Sequence, residues 1–383
     1  MSPSTQAVAA DHIFDGTTVR PSSAVLIEGG TISRIISCAH LPRGKAVHAL
    51  PPGAWLAPGF IDVQVNGGGD VLFNDGPTTE AVTAITRAHR KFGTTCLLPT
   101  FITDAPEKMS AAIDAVEAAM EREAGVLGIH LEGPFISPRR PGVHDPRFIR
   151  PIAPEDITLL TRSRRGMTLV TLAPEEMPQG AIGQLAKAGV RVSLGHSLAT
   201  YEQTRAAIRE GLTGFTHLFN AMPPMLSREP GPIAAALESP NVFYGLIVDG
   251  THVAPASLRL ALRGAGHPML VTDAMPPVGG SRKSFKLYGD EITVADGGLR
   301  RKDGTLAGAF LTMAQAVNNC VHLLDMKLED ALRLASRNPA EFLGLGDRLG
   351  QLAPGYRADM VAFRPEKIDV IETWVAGQPS QNG

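Results

Sequence analysis

Five apolar, strand-like segments of this chain close on residues that can bind a metal or move a proton. They are Asp62-Val63-Gln64-Val65-Asn66, His130-Leu131-Glu132, Gly195-His196-Ser197, Thr216-His217 and Thr272-Asp273. Glu132, His196 and His217 supply one carboxylate and two imidazoles, the donor mix of a catalytic zinc site that keeps a fourth position for water. A doubly charged ion set against one carboxylate leaves a net positive centre, which lowers the pKa of a bound water towards neutrality and polarises a carbonyl oxygen. Asp273, an acceptor-only group with no basic neighbour in sequence, is placed to take that water's proton and return it to a leaving nitrogen. Gln64 and Asn66 are two residues apart and face the same side of a strand. Neutral amides bind zinc weakly, so they are expected to orient water or substrate rather than hold a second ion. His130 has the same two-residue spacing from Glu132 and competes as a ligand, but is assigned a structural role. Taken singly, each residue has an ordinary reading, since a lone strand-end histidine is most often a hydrogen-bonded structural residue and an Asp before a helix most often caps it. Gathered on one rim, they point to a metal site.

One rim requires a fold that brings strand ends together. Eight short apolar runs, Phe60 to Val65, Thr95 to Thr100, Val126 to His130, Thr168 to Leu172, Val190 to Leu194, Gly214 to Leu218, Tyr244 to Val248 and Met269 to Thr272, alternate with helical patterns. Thr78-Thr79-Glu80 caps a helix that ends before Gly93. Asp104 with Glu107 starts another that runs to Gly125, and Thr200 with Gln203 starts a third. Continuous apolar strands, each followed by a helix, predict parallel strands buried on both faces. The expected fold class is α/β, a (β/α)8 TIM barrel over 58–348 whose active site lies at the C-terminal ends of the strands. Residues 1–57 and 349–383 instead show short strands and are expected to form one small β-sandwich domain from both termini. A hairpin insertion is expected near 283–306, where Gly-Asp and Asp-Gly pairs cluster.

Composition narrows the function classes. The chain has 383 residues, 44% hydrophobic and 19% charged, with 40 Gly and 30 Pro, values of an ordinary globular protein. The formal net charge of −2 with interspersed signs offers no basic stripe, so nucleic acid is not an expected partner. No apolar run approaches a membrane span, and the N-terminal residues lack the basic and apolar regions of a signal peptide. Cys38, Cys96 and Cys320 are isolated, which fits a reducing cytoplasm and gives neither a disulfide framework nor a thiolate metal site. Cys96 lies inside the second strand and reads as a small buried hydrophobe. His89 and His322 lie on helices and read as surface or packing residues.

Several stretches carry a resemblance: HLEGPFISPRRPGVHDP at 130–146, LGHSLAT at 194–200, THLFNAMPPM at 216–225, DGTHV at 249–253 and VTDAM at 271–275. These resemble the N-acetylglucosamine-6-phosphate deacetylases, a family of the amidohydrolase superfamily, and the resemblance extends over essentially the whole chain. The superfamily's usual His-x-His on the first strand stands here as Gln64-x-Asn66, which implies one metal ion per chain, with zinc expected, in place of two. By this resemblance Glu132, His196 and His217 are the metal ligands and Asp273 the general base and acid. It makes His144 the residue that helps polarise the acetamido carbonyl. Asn220, Ala221, Arg228 and His252 become contacts to sugar and phosphate, and a homodimer is implied in which the neighbouring subunit completes part of the phosphate site. The implied substrate is N-acetyl-D-glucosamine 6-phosphate, with the galactosamine epimer or a related N-acyl amino sugar phosphate as the alternative. A cyclic-amide hydrolase is disfavoured because no strand ends in a Lys placed to bridge two metals. The arginines of the Gly/Pro-rich stretch 133–150 are assigned to a solvated face.

Overall fold

The computed structural model describes residues 6–41, 47–162, 165–295 and 297–380. At its centre are the eight parallel strands Phe60–Val65, Thr94–Ile102, Gly128–Glu132, Met167–Leu172, Arg191–Leu194, Gly214–Phe215, Phe243–Leu246 and His267–Leu270. They hydrogen-bond to one another in that order. The eighth closes on the first through the Asp273 N–H, which donates to Gln64 O at 3.0 Å, and a parallel bridge between Val65 and Ala274. Every residue of the first two strands is buried, as expected where helices cover one face and the barrel interior fills the other. The sixth strand is shorter than its apolar run because the backbone turns into the left-handed region at His217, where φ is 32°.

Caps set the helix starts. Thr78 Oγ1 accepts the Ala81 N–H at 3.2 Å ahead of the helix Thr79–Arg90. Thr200 and Gln203 form a reciprocal box ahead of Tyr201–Glu210. The box expected from Asp104 and Glu107 is absent. Asp104 accepts the Ala105 N–H and pairs with Lys108 at 3.1 Å, and the helix Pro106–Ala119 begins without a side-chain cap. A proline at the first helical position lowers the need for one, since it brings no N–H. This helix also ends short of Gly125.

Strands from both ends of the chain share one eight-stranded sheet. The join is Trp55–Pro58 running antiparallel to Met360–Arg364. Val8, Val25, Ile27, Leu56, Met360 and Trp374 form its own apolar cluster. A Cβ at Gly30 would lie 2.8 Å from the Ala376 carbonyl oxygen, so these two turns approach closely, and the strands of both termini form one hydrogen-bonded sheet. Of the terminal segments assigned from the sequence, 1–5, 42–46 and 381–383 lie outside the described residues. The insertion is a three-stranded meander, not a hairpin: Ser284–Leu287, Asp290–Ala295 and Gly298–Arg300. Its second turn uses Gly297, and Asp296 beside it lies outside the described residues. Leu287, Ile292 and Leu299 of the meander pack on Leu72, Ile102 and Met275 at the barrel mouth. Among the described residues no helix is long and apolar enough to cross a membrane.

Candidate metal centre and active site

Glu132 ends the third barrel strand, and His196 and His217 follow the fifth and sixth. Their donor atoms all lie within 4.8 Å of one another. His217 Nε2 is 2.9 Å from Glu132 Oε1 and 3.2 Å from His196 Nε2, and His196 Nε2 is 3.2 Å from the same carboxylate oxygen. His196 Nδ1 is 2.8 Å from the backbone carbonyl of Arg140. A carbonyl only accepts, so Nδ1 carries the proton and Nε2 turns a lone pair inward. Two imidazole nitrogens and a carboxylate oxygen meeting at one point could hold a metal ion, and this donor set fits a divalent one. Gly142 permits the packing: its φ is 56°, and a Cβ there would lie 3.0 Å from His196 Cε1.

Three of these residues share an uncommon backbone state. His196, His217 and Asp273 have φ of 49°, 32° and 52°, a region that costs a non-glycine residue about 1–2 kcal/mol. Strain of this kind gathers where side chains must be aimed rather than merely buried. Asp273, after the eighth strand, accepts from Gln64 Nε2 at 3.1 Å and Asn66 Nδ2 at 2.6 Å on the same oxygen, Oδ1. Gln64 Nε2 also donates to Glu132 Oε2 at 3.1 Å, so one amide spans the Glu132 carboxylate and the aspartate. Asn66 Oδ1 is buried without a partner among the described residues.

The charges divide accordingly. Burial pushes Glu132 up, but the His196 and His217 imidazoles outweigh it and hold the carboxyl well below its ordinary range. For His217 burial acts downward, and Glu132 outweighs it, so the imidazole is raised. Asp273 is pushed up to about 6 by burial and by the Glu132 charge. One layer deeper, burial pushes Asp62 to about 7. It accepts from Thr272 Oγ1 and the Gln64 and Thr272 N–H groups and ties the first strand to the eighth. His130 has both ring nitrogens occupied, by Thr100 Oγ1 at 3.2 Å and Thr171 Oγ1 at 2.7 Å, and is no ligand.

A cavity of about 240 Å³ opens over this cluster. Of the candidates read from the sequence, Asn66, Glu132, His144, His196, His217, Asn220, Ala221, His252 and Asp273 line it. His144 is buried, its Nε2 4.0 Å from Glu132 Oε1 and its ring centroid 4.4 Å from that of His196. Burial and His196 keep it well below the ordinary imidazole range. His252 bonds Asp249 Oδ2 through Nδ1 at 2.6 Å. Arg228 is exposed and lies outside the lining. The arginines of 133–150 are exposed or partly so, and two of them are paired: Arg147 with Asp145 and Arg150 with Asp156, each at 2.5 Å. Cys96 is buried in the apolar core as expected, and its thiol also donates to Asp359 Oδ2 at 3.1 Å. His89 packs in the interior with Nε2 2.9 Å from Gly67 O, whereas His322 is exposed with a long contact to Glu366 O. The sequence reading missed the far wall of the cavity, which comes from Thr305, Leu306 and Gly308 just past the meander. No metal-ligating or acid-base residue marks that wall.

A near-closed parallel barrel with two histidines and a carboxylate at its mouth, and a buried aspartate beside them, is the frame of a metal-assisted hydrolase. The Amidohydrolase family model matches residues 55–382, and the chain belongs to that family, whose members are metal-dependent. It is 43% identical over 360 residues to an N-acetylgalactosamine-6-phosphate deacetylase of Shewanella sp. (strain ANA-3), covering 93% of this chain and 91% of that protein. It is 36% identical over 364 residues to an N-acetylglucosamine-6-phosphate deacetylase of Haemophilus influenzae, covering 94% and 95%. The crystal structure of N-acetylglucosamine-6-phosphate deacetylase from Pasteurella multocida superposes with a TM-score of 0.95 at 35% identity, covering 99% of this chain and 100% of that one.

Proposed function

We propose that this chain hydrolyses the acetamide of N-acetyl-D-glucosamine 6-phosphate, giving D-glucosamine 6-phosphate and acetate. The observation that carries the reading is the convergence of Glu132, His196 and His217 beside Asp273, in a chain whose close relatives bear this activity in their names. Glu132, His196 and His217 would hold one divalent ion, which we take to be zinc from the mixed nitrogen and oxygen donors. When bound, such an ion supplies Lewis acidity, acidifying a water and polarising the acyl oxygen.

The remaining chemistry belongs to the chain. Asp273, oriented by the Gln64 and Asn66 amides on one of its oxygens, takes the proton of the attacking water as the tetrahedral carbon forms. It then returns that proton to the nitrogen as the C–N bond breaks. His144 faces the cavity as a hydrogen-bond donor to the acyl oxygen. His252, backed by Asp249, and Asn220 and Ala221 line the same cavity and would take the sugar and its 6-phosphate. Arg228 is exposed on the same segment as Met225 and Leu226, 54% and 53% exposed. This supports a homodimer in which such an arginine reaches the neighbouring phosphate site. Burial of the unpaired Cys96 and Cys320 thiols supports a cytoplasmic setting.

The 43% identity to an N-acetylgalactosamine-6-phosphate deacetylase favours the 4-epimer as a second reading. Acetate release by the metal-loaded chain separates them. A higher kcat/KM for the glucosamine derivative supports the first reading and a higher value for the galactosamine derivative the second. Equal rates with and without the 6-phosphate overturn both.

A further inference from the structure

We propose that Thr103 is a positioning residue for the deacetylation: it fixes His144 as the tautomer protonated on Nε2, so that a donor rather than a lone pair meets the acyl oxygen. The inference rests on the role given to His144 above. Thr103 directly follows the second barrel strand and is 1% exposed. Its backbone N–H donates to His144 Nδ1 at 3.3 Å, and its Oγ1 lies 2.8 Å from the same nitrogen. A backbone N–H cannot accept, so Nδ1 is the unprotonated nitrogen and the ring proton sits on Nε2. The hydroxyl can donate to Nδ1 or, at 3.4 Å, to Glu132 O, and in the first arrangement both Thr103 donors serve the same lone pair. A ring protonated on Nδ1 would set two N–H groups against each other.

Thr103 is in turn held from the meander. Tyr288 Oη donates to Thr103 O at 2.5 Å, and Arg301 donates to Val143 O, next to His144, at 3.4 Å. Tyr288 occupies a two-residue turn with φ of 51°, followed by Gly289 at 94°, a conformation that ordinarily selects Asn or Gly. A tyrosine there is explained by its reach to Thr103, which no smaller turn residue has. The meander therefore acts as a brace for the donor side of the site as well as a wall of the cavity.

The test combines spectroscopy with kinetics. Long-range 1H–15N correlation on 15N-histidine-labelled, metal-loaded protein, with His144 assigned by its loss in His144→Ala, is expected to show the proton on Nε2. Thr103→Val is expected to lower kcat about tenfold with KM and bound metal unchanged, as for one lost hydrogen bond. Thr103→Ser should return kcat to within about twofold of the parent, and Tyr288→Phe should lower it about threefold. In a His144→Ala background Thr103→Val should have no further effect. A proton on Nδ1, or a full tenfold loss from Thr103→Val in the His144→Ala background, overturns the positioning role alone. Parental kcat in His144→Ala overturns the role of His144 and this inference with it.

Discussion

Two buried aspartates, one in the terminal sheet and one at the barrel mouth, start from the same chemistry and are driven in opposite directions. Burial pushes Asp15 up, but bonds from Thr17, Thr18 and Arg20 outweigh it and bring the carboxyl down to about 2. Asp273 is driven up to about 6 by burial and Glu132, which its amide partners do not offset. Asp15 receives every donor a turn can offer: Thr17 N and Thr18 N at 2.9 Å, Thr17 Oγ1 and Arg20 Nε at 2.6 Å. Asp273 receives two amides on one oxygen, beside an Asn66 Oδ1 unpartnered among the described residues, on a backbone in the left-handed region. The terminal sheet spends its polar groups on its own stability. The mouth withholds them, and what is withheld there is available to a cation and a substrate.

That contrast can be broken at either end. The largest effect is expected from His217→Ala, which removes one of three donors and should lose both bound metal and turnover, read by elemental analysis and acetate release. Next comes Asp273→Asn, which keeps shape but cannot take a proton. Metal content should hold while kcat falls about 10²- to 10⁴-fold, and a fall of only about threefold would move the base elsewhere. Asp273 must be ionised to act, so kcat/KM should fall as pH drops through its pKa. A bound cation pulls that value down from about 6, so the acid limb of the pH profile belongs below 6; a limb above 6 would assign it to another group. The smallest effect is expected in the sheet. Asp15→Ala should cost about 1–2 kcal/mol in denaturant unfolding, from several part-buried bonds of modest net worth, with kcat unchanged. Because the folded-state pKa of Asp15 is depressed, its contribution is full above about pH 4 and lost as pH falls through about 2. Asp15→Ala should therefore show no stability difference from the parent in strong acid.

The two regions were also unequally legible. All eight barrel strands could be read from the sequence, because burial on both faces leaves unbroken apolar runs, and Glu132, His196, His217 and Asp273 stood at their ends by type alone. The fine aim was not legible. Nothing in Gly195-His196 or Thr216-His217 announces a positive φ, since that follows from closure of the barrel and not from local propensity. The Asp104 cap failed because a nearby Lys108 and the Pro106 start offered another solution. The meander read as a hairpin because its turn signals mark turns without counting them. The wall formed by Thr305, Leu306 and Gly308, and the brace from Tyr288 to Thr103, join residues about 185 positions apart through contacts that leave no periodic trace.

The central claim is that one cation, held by Glu132, His196 and His217, is sufficient for the chemistry of this mouth, with Gln64 and Asn66 serving Asp273 rather than a second ion. The most direct measurement is the number of divalent ions per chain retained after dialysis, followed with kcat as metal is titrated into the stripped protein. The account predicts full activity at one equivalent, with no further gain beyond it. Activity that rises only as a second tightly held equivalent binds would contradict it.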